Sequence, residues 1–169
     1  MKTNIQTTWL DYPDNSSLAI ILYTYGCIHN CKNCQNKELQ TPIKVYPETI
    51  IKDIYEYCLR NNTNKLVLSG GDCLLKNVNL DLTNRIIRTY KYKLDICLYT
   101  GYDIEYVKKY VYKGFKFVKC GKYEESLKTK ACKTDEYIQF ASTNQQLYNF
   151  DYKLLSSNGR YYFKQGETK

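Results

Sequence analysis

The chain has 169 residues, of which 43% are hydrophobic and 25% are charged, and eight are cysteines. This length and balance favour a single domain over residues 1–169 with a buried core, and they exclude a largely disordered chain. Lysine and arginine outnumber aspartate and glutamate by 25 to 17, which gives a formal net charge of +8. Such a charge either aids solubility alone or favours an acidic partner.

The predicted elements begin with a buried strand at residues 18–25, where the aliphatic sequence LAIILYTY ends before a glycine. Three further strands, each followed by a loop that contains glycine, are predicted at residues 65–69, 95–99 and 115–120. Apolar residues at helical spacing predict helices at residues 47–61, 78–92 and 103–113. Residues 136–150 have no clear pattern. The tail at about 150–169 contains Ser157-Asn158-Gly159, which predicts a hairpin turn.

Strand and helix alternate in this pattern, which predicts an α/β fold built from parallel βα units. In such sheets, ligands bind beyond the carboxyl ends of the strands. Four segments follow predicted strands and are therefore expected at one rim. They are the loop of residues 26–36, Gly70-Gly71-Asp72, Thr100-Gly101 and Gly121.

Three cysteines, Cys27, Cys31 and Cys34, share the loop of residues 26–36 with the spacing Cys-x3-Cys-x2-Cys. The polar N-terminal stretch predicts no signal peptide and the longest apolar run is too short to span a membrane, so we expect a cytoplasmic chain. Outside an oxidising compartment, clustered cysteines favour metal ligands over disulfides. Three thiolates can hold three irons of a 4Fe-4S cluster and leave the fourth iron open to a small molecule.

A zinc knuckle completed by His29 or by a distant cysteine is the alternative for this loop. Zinc sites usually combine two pairs of ligands, and a second such pair is absent from the sequence. We therefore expect His29 to be a solvated or hydrogen-bonding loop residue. The backbone at Gly70 and Gly71 lacks side chains, so it could approach a ligand closely.

The spacing of Cys27, Cys31 and Cys34 resembles the cluster motif of the radical S-adenosylmethionine (SAM) superfamily. The resemblance implies a partial (β/α) barrel of mostly parallel strands, open on one side. It further implies that SAM binds the open iron, that the reduced cluster cleaves a carbon–sulfur bond of SAM, and that a 5′-deoxyadenosyl radical abstracts a hydrogen atom. A Gly-Gly-acid motif of the family contacts the amino group of SAM, and residues 70–72 match that motif.

Shorter motifs resemble the activating proteins of anaerobic (class III) ribonucleoside-triphosphate reductases. They occur in family order across residues 26–145: GCxHxCxxCxN at 26–36, LSGGD at 68–72, YTGY at 99–102, GKY at 121–123 and STNQ at 142–145. The resemblance implies that the chain generates a glycyl radical on the large reductase subunit and needs no catalytic residue beyond the cluster and SAM. It places the following residues near SAM: Asn33, Gln35, Gly70, Gly71, Asp72, Thr100, Gly101 and Asn144.

Candidate acidic partners for the basic chain are the large reductase subunit, an electron donor such as flavodoxin, and nucleic acid. The basic residues are scattered and no RNA-binding motif occurs, so nucleic acid is the least favoured of the three. Other functions also stay open. They are an activase for a formate-lyase-type enzyme, a deazapurine-forming synthase, and a metal-binding module without turnover.

Two cysteines stand where the family carries other residues. Cys73 follows the Gly-Gly-Asp motif, where family members often have a proline. It is either a small buried residue or a fourth ligand of the cluster, and a fourth ligand would exclude SAM. Cys120 takes the place of an acid before Gly121, and with Cys132 it could form an auxiliary site, although their spacing gives little support. Cys58 and Cys97 lie in apolar patterns and are predicted to be core residues.

Overall fold

The computed structural model describes residues 4–15 and 18–163, so the last part of the predicted tail, residues 164–169, lies outside the described residues. Within these ranges, the strands are β1 (Ile5–Thr8), β2 (Ala19–Thr24), β3 (Lys65–Gly70), β4 (Asp95–Tyr99), β5 (Phe117–Cys120), β6 (Cys132–Lys133), β7 (Tyr137–Gln139), β8 (Gln146–Asn149) and β9 (Arg160–Tyr162). The helices are α1 (Pro47–Arg60), α2 (Leu80–Tyr90) and α3 (Ile104–Tyr110), with short 3₁₀ helices at Lys37–Leu39 and Glu125–Leu127.

A six-stranded sheet with the order β1-β2-β3-β4-β5-β8 forms the centre of the molecule. The four inner strands run parallel to one another, whereas the edge strands β1 and β8 are antiparallel to their neighbours. This confirms the predicted α/β fold with mostly parallel strands. Among the described strands, β1 and β8 do not pair with each other, so the sheet stays open and the partial barrel stays a prediction.

Every strand and helix predicted from the pattern is present, with small shifts at the ends. Asp103 accepts a hydrogen bond from the backbone N–H of Tyr106 at 2.8 Å, so it caps α3. The N-terminal strand β1 was not predicted, because only Ile5 of its four residues is buried. Across residues 4–15 and 18–163, no helix has the length and apolar character needed to cross a membrane.

The two faces of the central sheet pack against different layers. Leu66, Leu68 and Ile96 point towards the helices and form the main core with residues such as Ile54 and Ile86. Alternate residues point to the opposite face, because side chains along a strand alternate between faces. That face is covered by the loop of residues 9–15, whose buried Tyr12 meets residues Ile21, Val67 and Cys97.

A second, smaller sheet has the order β6-β7-β9. Its middle strand β7 lies within residues 136–150, where the sequence had no clear pattern, and β6 and β9 come before and after that stretch. The predicted turn leads into it: Asn158 and Gly159 have φ angles of 50° and 68°, and Ser157 and Arg160 exchange backbone hydrogen bonds of 2.9 Å. These are the features of a type I′ turn. Strand β9 then pairs with β7, so the turn is confirmed, while its strand partner comes from earlier in the chain.

Candidate functional site

The carboxyl ends of the four parallel strands meet at one rim, and a cavity opens there. Its walls come from the loop after β2 and from the residues that follow β3, β4 and β5. The lining includes Cys27, His29, Cys31, Cys34, Gln35, Gly70, Gly71, Thr100, Gly101, Lys119, Gly121, Lys122 and Tyr123. The structure thus brings residues from all four rim segments to a single cavity.

The cysteine loop is closed at its base by backbone hydrogen bonds. The N–H of Gly26 donates to the carbonyl of Leu39 at 2.7 Å, and the N–H of Cys27 donates to the carbonyl of Gln40 at 3.0 Å. Between the cysteines, Asn30 and Asn33 have φ angles of 48° and 55°. Asparagine tolerates this left-handed conformation better than most residues, which lets a short loop reverse direction.

The three loop thiols are free and partly exposed. Burial raises the pKa of Cys27, while the N–H of His29, 3.5 Å from its Sγ, acts in the opposite direction. Burial likewise raises the pKa of Cys31, which the side chain of Lys122 partly offsets. Thiols of this kind need a metal or a nearby cation to become thiolates at neutral pH.

The position of the three loop thiols can be compared with what a single metal ion and an iron–sulfur cluster each require. Among the described residues, no group of three or more His, Cys, Asp or Glu side chains is arranged to hold one metal ion. The thiols instead lie around one cavity. Cysteine thiolates hold a 4Fe-4S cluster, and in a cluster each thiolate binds a different iron. The donor type and the shared cavity therefore fit an iron–sulfur cluster with three protein ligands.

The Gly70–Gly71 pair lets the end of β3 meet the base of the cysteine loop directly. A Cβ atom at Gly71 would lie 2.5 Å from the carbonyl oxygen of Gly26 and 2.6 Å from that of Leu39, both of which are backbone atoms. The N–H of Asp72 donates to the carbonyl of Gly26 at 2.8 Å. Glycine at position 71 is therefore required for the close packing of strand and loop.

Asp72 is fully buried and connects three segments of the rim. Its carboxylate accepts hydrogen bonds from the N–H of Leu74 at 2.9 Å, the hydroxyl of Thr100 at 2.8 Å and the N–H of Gly101 at 2.9 Å. The Nε2 atom of His29 lies 2.6 Å from the same carboxylate. His29 is thus a hydrogen-bonding loop residue, which is one of the two roles that the sequence left open.

The predicted SAM-contacting residues occupy different positions relative to the cavity. Gln35, Thr100 and Gly101 belong to its lining, with the two glycines at 70 and 71. The side chain of Asn33 lies close to that of Glu125, and Asn144 donates to the carbonyl of Lys122 at 2.9 Å. Asn33, Asp72 and Asn144 are not among the described residues that line the cavity. Contact with SAM stays a prediction for all eight residues, including those that line the cavity.

Of the five cysteines outside the loop, four are buried and Cys132 is partly exposed. Cys58 and Cys97 are core residues, as predicted. Cys73 is fully buried, its Sγ donates to the carbonyl of Tyr99 at 3.3 Å, and burial raises its pKa well above the ordinary value. Cys73 is thus a small buried residue rather than a thiol that lines the cavity. Cys120 lies in the helix-side core, in a different layer from Cys132 on β6.

Lys119 is a cavity residue that the motif analysis did not single out. A lone lysine in a strand usually lies in solvent, so it carried no functional meaning by itself. The alternation of side chains along β5 could have indicated where Lys119 points. Val118 points into the helix-side core, so its neighbour Lys119 must point to the opposite face, where the cavity lies.

Comparisons with known proteins agree with this site. A family model described as a 4Fe-4S single cluster domain matches residues 17–148, which include the cysteine loop and all four parallel strands. The chain is also similar to the anaerobic ribonucleoside-triphosphate reductase-activating protein of Enterobacteria phage T4. The two are 25% identical over 144 residues, which cover 82% of this chain and 88% of that protein. Because the family model spans most of the sequence and includes the loop thiols, the chain belongs to the 4Fe-4S single cluster domain family.

Proposed function

We propose that the chain is a radical SAM activating enzyme that generates a glycyl radical on the large subunit of an anaerobic ribonucleoside-triphosphate reductase. The main support is the single cavity where three free thiols meet the glycine-rich ends of β3 and β4. The similarity to a reductase-activating protein over 82% of the chain adds to it. The proposal includes a partial (β/α) barrel and an external one-electron donor such as flavodoxin.

In this proposal, Cys27, Cys31 and Cys34 hold the cluster. The cavity side chains and the backbone of Gly70 and Gly71 hold SAM. Asp72 and His29 fix the loop against the strand ends through their 2.6 Å contact. When bound, the cluster and SAM supply one-electron cleavage chemistry that yields a radical able to abstract a hydrogen atom from glycine.

The test begins with the chain loaded with iron and sulfide in the absence of oxygen. After chemical reduction and addition of SAM, we expect 5′-deoxyadenosine and methionine in equal amounts. Cys31→Ser should lose the products together with the cluster absorbance. Cys132→Ser should keep both, because Cys132 lies on β6 outside the cavity lining. A loaded chain that forms no 5′-deoxyadenosine would contradict the SAM chemistry.

The partner is tested by adding a reductase with a glycyl-radical segment and recording its electron paramagnetic resonance spectrum. We expect an organic radical that depends on SAM and on the three loop cysteines. SAM cleavage without that radical would instead favour a formate-lyase-type activase or a deazapurine-forming synthase. Bound zinc without iron or sulfide in the purified chain would favour a metal-binding module.

A further inference from the structure

An aromatic row, formed by His29, Tyr102, Tyr106 and Tyr110, leads from the cysteine loop to the outer side of α3. The ring of His29 on the loop meets the ring of Tyr102 edge-on, with 4.8 Å between their centres. Tyr106 stacks on Tyr102 at 3.8 Å and packs against Tyr110 at 4.8 Å. All three tyrosines are partly exposed. Closely packed rings therefore join the loop that carries the thiols to the protein surface.

Exposed lysines lie at the outer end of the aromatic row. The Nζ atoms of Lys76 and Lys109 are 5.4 and 5.1 Å from the ring centre of Tyr110. Neither lysine forms an ion pair within residues 4–15 and 18–163. Residues 102–113 together with Lys76 carry four lysines and two acids. The α3 face, defined by Lys76, Tyr106, Lys109 and Tyr110, is therefore positively charged and attracts an acidic partner.

The α3 face lies outside the cavity, since none of its four residues is among the described residues that line it. Under the proposed function, the cavity opening must admit SAM and the glycine of the large reductase subunit. A protein that delivered electrons at the same opening would block both. Electron transfer slows steeply with distance and is fastest through closely packed atoms. The aromatic row thus offers an electron donor a separate and short route to the cysteine loop.

We propose that the α3 face is the docking surface of the external one-electron donor, a protein with an acidic surface around its redox cofactor. The inference rests on the proposed function, which requires such a donor. In the docked complex, one electron passes from the reduced cofactor of the donor to the cluster at the loop thiols. The donor is thereby oxidised and the cluster reduced. Lys76 and Lys109 orient the donor, and the tyrosine rings fill the space between it and His29.

Binding to the oxidised, cluster-loaded chain tests the surface without turnover. Flavodoxin, an acidic flavoprotein, is the probe, and isothermal titration calorimetry gives its Kd. We expect Lys76→Glu/Lys109→Glu to bind flavodoxin about tenfold more weakly, because two attractive charges become repulsive. Lys52→Glu/Lys93→Glu changes the net charge equally at exposed sites on α1 and before β4, and its Kd should stay within about twofold of wild type. Lys76→Arg/Lys109→Arg keeps both cations and should bind like the wild type.

The rate of cluster reduction connects binding at the α3 face with electron delivery. At a sub-saturating concentration, fully reduced flavodoxin should bleach the cluster of Lys76→Glu/Lys109→Glu about tenfold more slowly than that of the wild type. Photoreduced deazariboflavin, a small uncharged reductant that needs no docking, should reduce both at the same rate. Cluster absorbance before reduction should be equal, which shows that the variant is folded and loaded.

Four results would overturn the inference. They are equal flavodoxin binding by the wild type and Lys76→Glu/Lys109→Glu, equal weakening in Lys52→Glu/Lys93→Glu, slower reduction of the α3-face variant by deazariboflavin as well, and loss of binding to the large reductase subunit but not to flavodoxin. In these cases the wild type still forms 5′-deoxyadenosine with a chemical reductant, so the proposed function stands. If the loaded wild type forms none, the proposed function fails, while flavodoxin binding still decides the docking surface.

Discussion

Asp72 joins three segments of the rim through one buried carboxylate. The hydroxyl of Thr100 and the N–H of Gly101 come from the end of β4, and the ring of His29 comes from the cysteine loop. The side chain has no exposed surface. Water therefore cannot replace a lost partner, and each disrupted contact leaves a buried polar group unsatisfied.

Asp72→Asn should destabilise the protein by about 2–4 kcal/mol, because an amide NH₂ group would face donors that need an acceptor. Asp95→Asn is the matched control: its carboxylate pairs with Lys116 on the surface, and the loss should stay below about 1 kcal/mol. Urea unfolding of both variants measures the difference. Equal stability of Asp72→Asn and Asp95→Asn would show that the buried carboxylate is not a structural centre of the rim.

At the scale of elements, the end of β4 packs closely against the cysteine loop. A Cβ atom at Gly101 would lie 2.5 Å from Nε2 of His29, the atom that faces Asp72. The obstacle is therefore a side chain of the loop rather than backbone. It follows that the strand end and the loop position each other through the His29 ring.

Gly101→Ala should destabilise the protein by about 1–3 kcal/mol, because overpacking displaces the His29 ring. A double-mutant cycle with His29→Ala isolates this contact. On the His29→Ala background, the same alanine at position 101 should cost much less, since the ring is gone. Urea unfolding of the four proteins gives the coupling. Additive effects of the two substitutions would contradict the packing.

The sequence predicted a strand well where several neighbouring residues carried the apolar pattern. Strands β2, β3 and β4 were visible because each contains a run of buried apolar residues followed by a loop with glycine. In β5, buried Val118 and Cys120 alternate with less buried neighbours, and a glycine again follows. Strands β6, β7 and β9 have two or three residues and pair across long stretches of chain, which leaves no local pattern to detect. The same reason explains why β8 was missed as the antiparallel partner of β5.

The candidate site shows the same division between local and distant information. Cys27, Cys31 and Cys34 lie within eight positions, so their spacing alone indicated a shared metal group. The contact between His29 and Asp72 joins residues 43 positions apart, and only the folded rim shows it.

At the scale of the whole molecule, the cysteine loop is held less firmly than the sheet beside it. Residues 26–46 contain one short 3₁₀ helix and no strand. The loop meets the sheet through a few contacts, such as the side-chain amide of Asn36 with the carbonyl of Gly70 at 3.2 Å. Bound metal would add three anchors at the cysteines, so the stability of this segment should depend on the cluster.

Removal of the cluster should therefore expose the loop to protease. We expect trypsin to cut the cluster-free chain at Lys32 and Lys37, both exposed, about tenfold faster or more than it cuts the loaded chain. Lys130 is the internal control, because it is exposed in another loop and should be cut at the same rate in both forms. Mass spectrometry of the fragments gives the rates. Equal cutting at Lys32 in the two forms would show that the loop is ordered without metal.

The burial of four thiols has a consequence for how the cofactor is assembled. Cys58, Cys73, Cys97 and Cys120 are enclosed in the fold, and only the three loop thiols and Cys132 are partly exposed. An unfolded chain offers iron eight competing thiols, which could capture the metal in many wrong combinations. The folded chain offers three on one loop and one elsewhere. If the chain folds before iron binds, the buried thiols cannot compete for the metal. The cluster would then form on the loop thiols, with a single cluster in each chain.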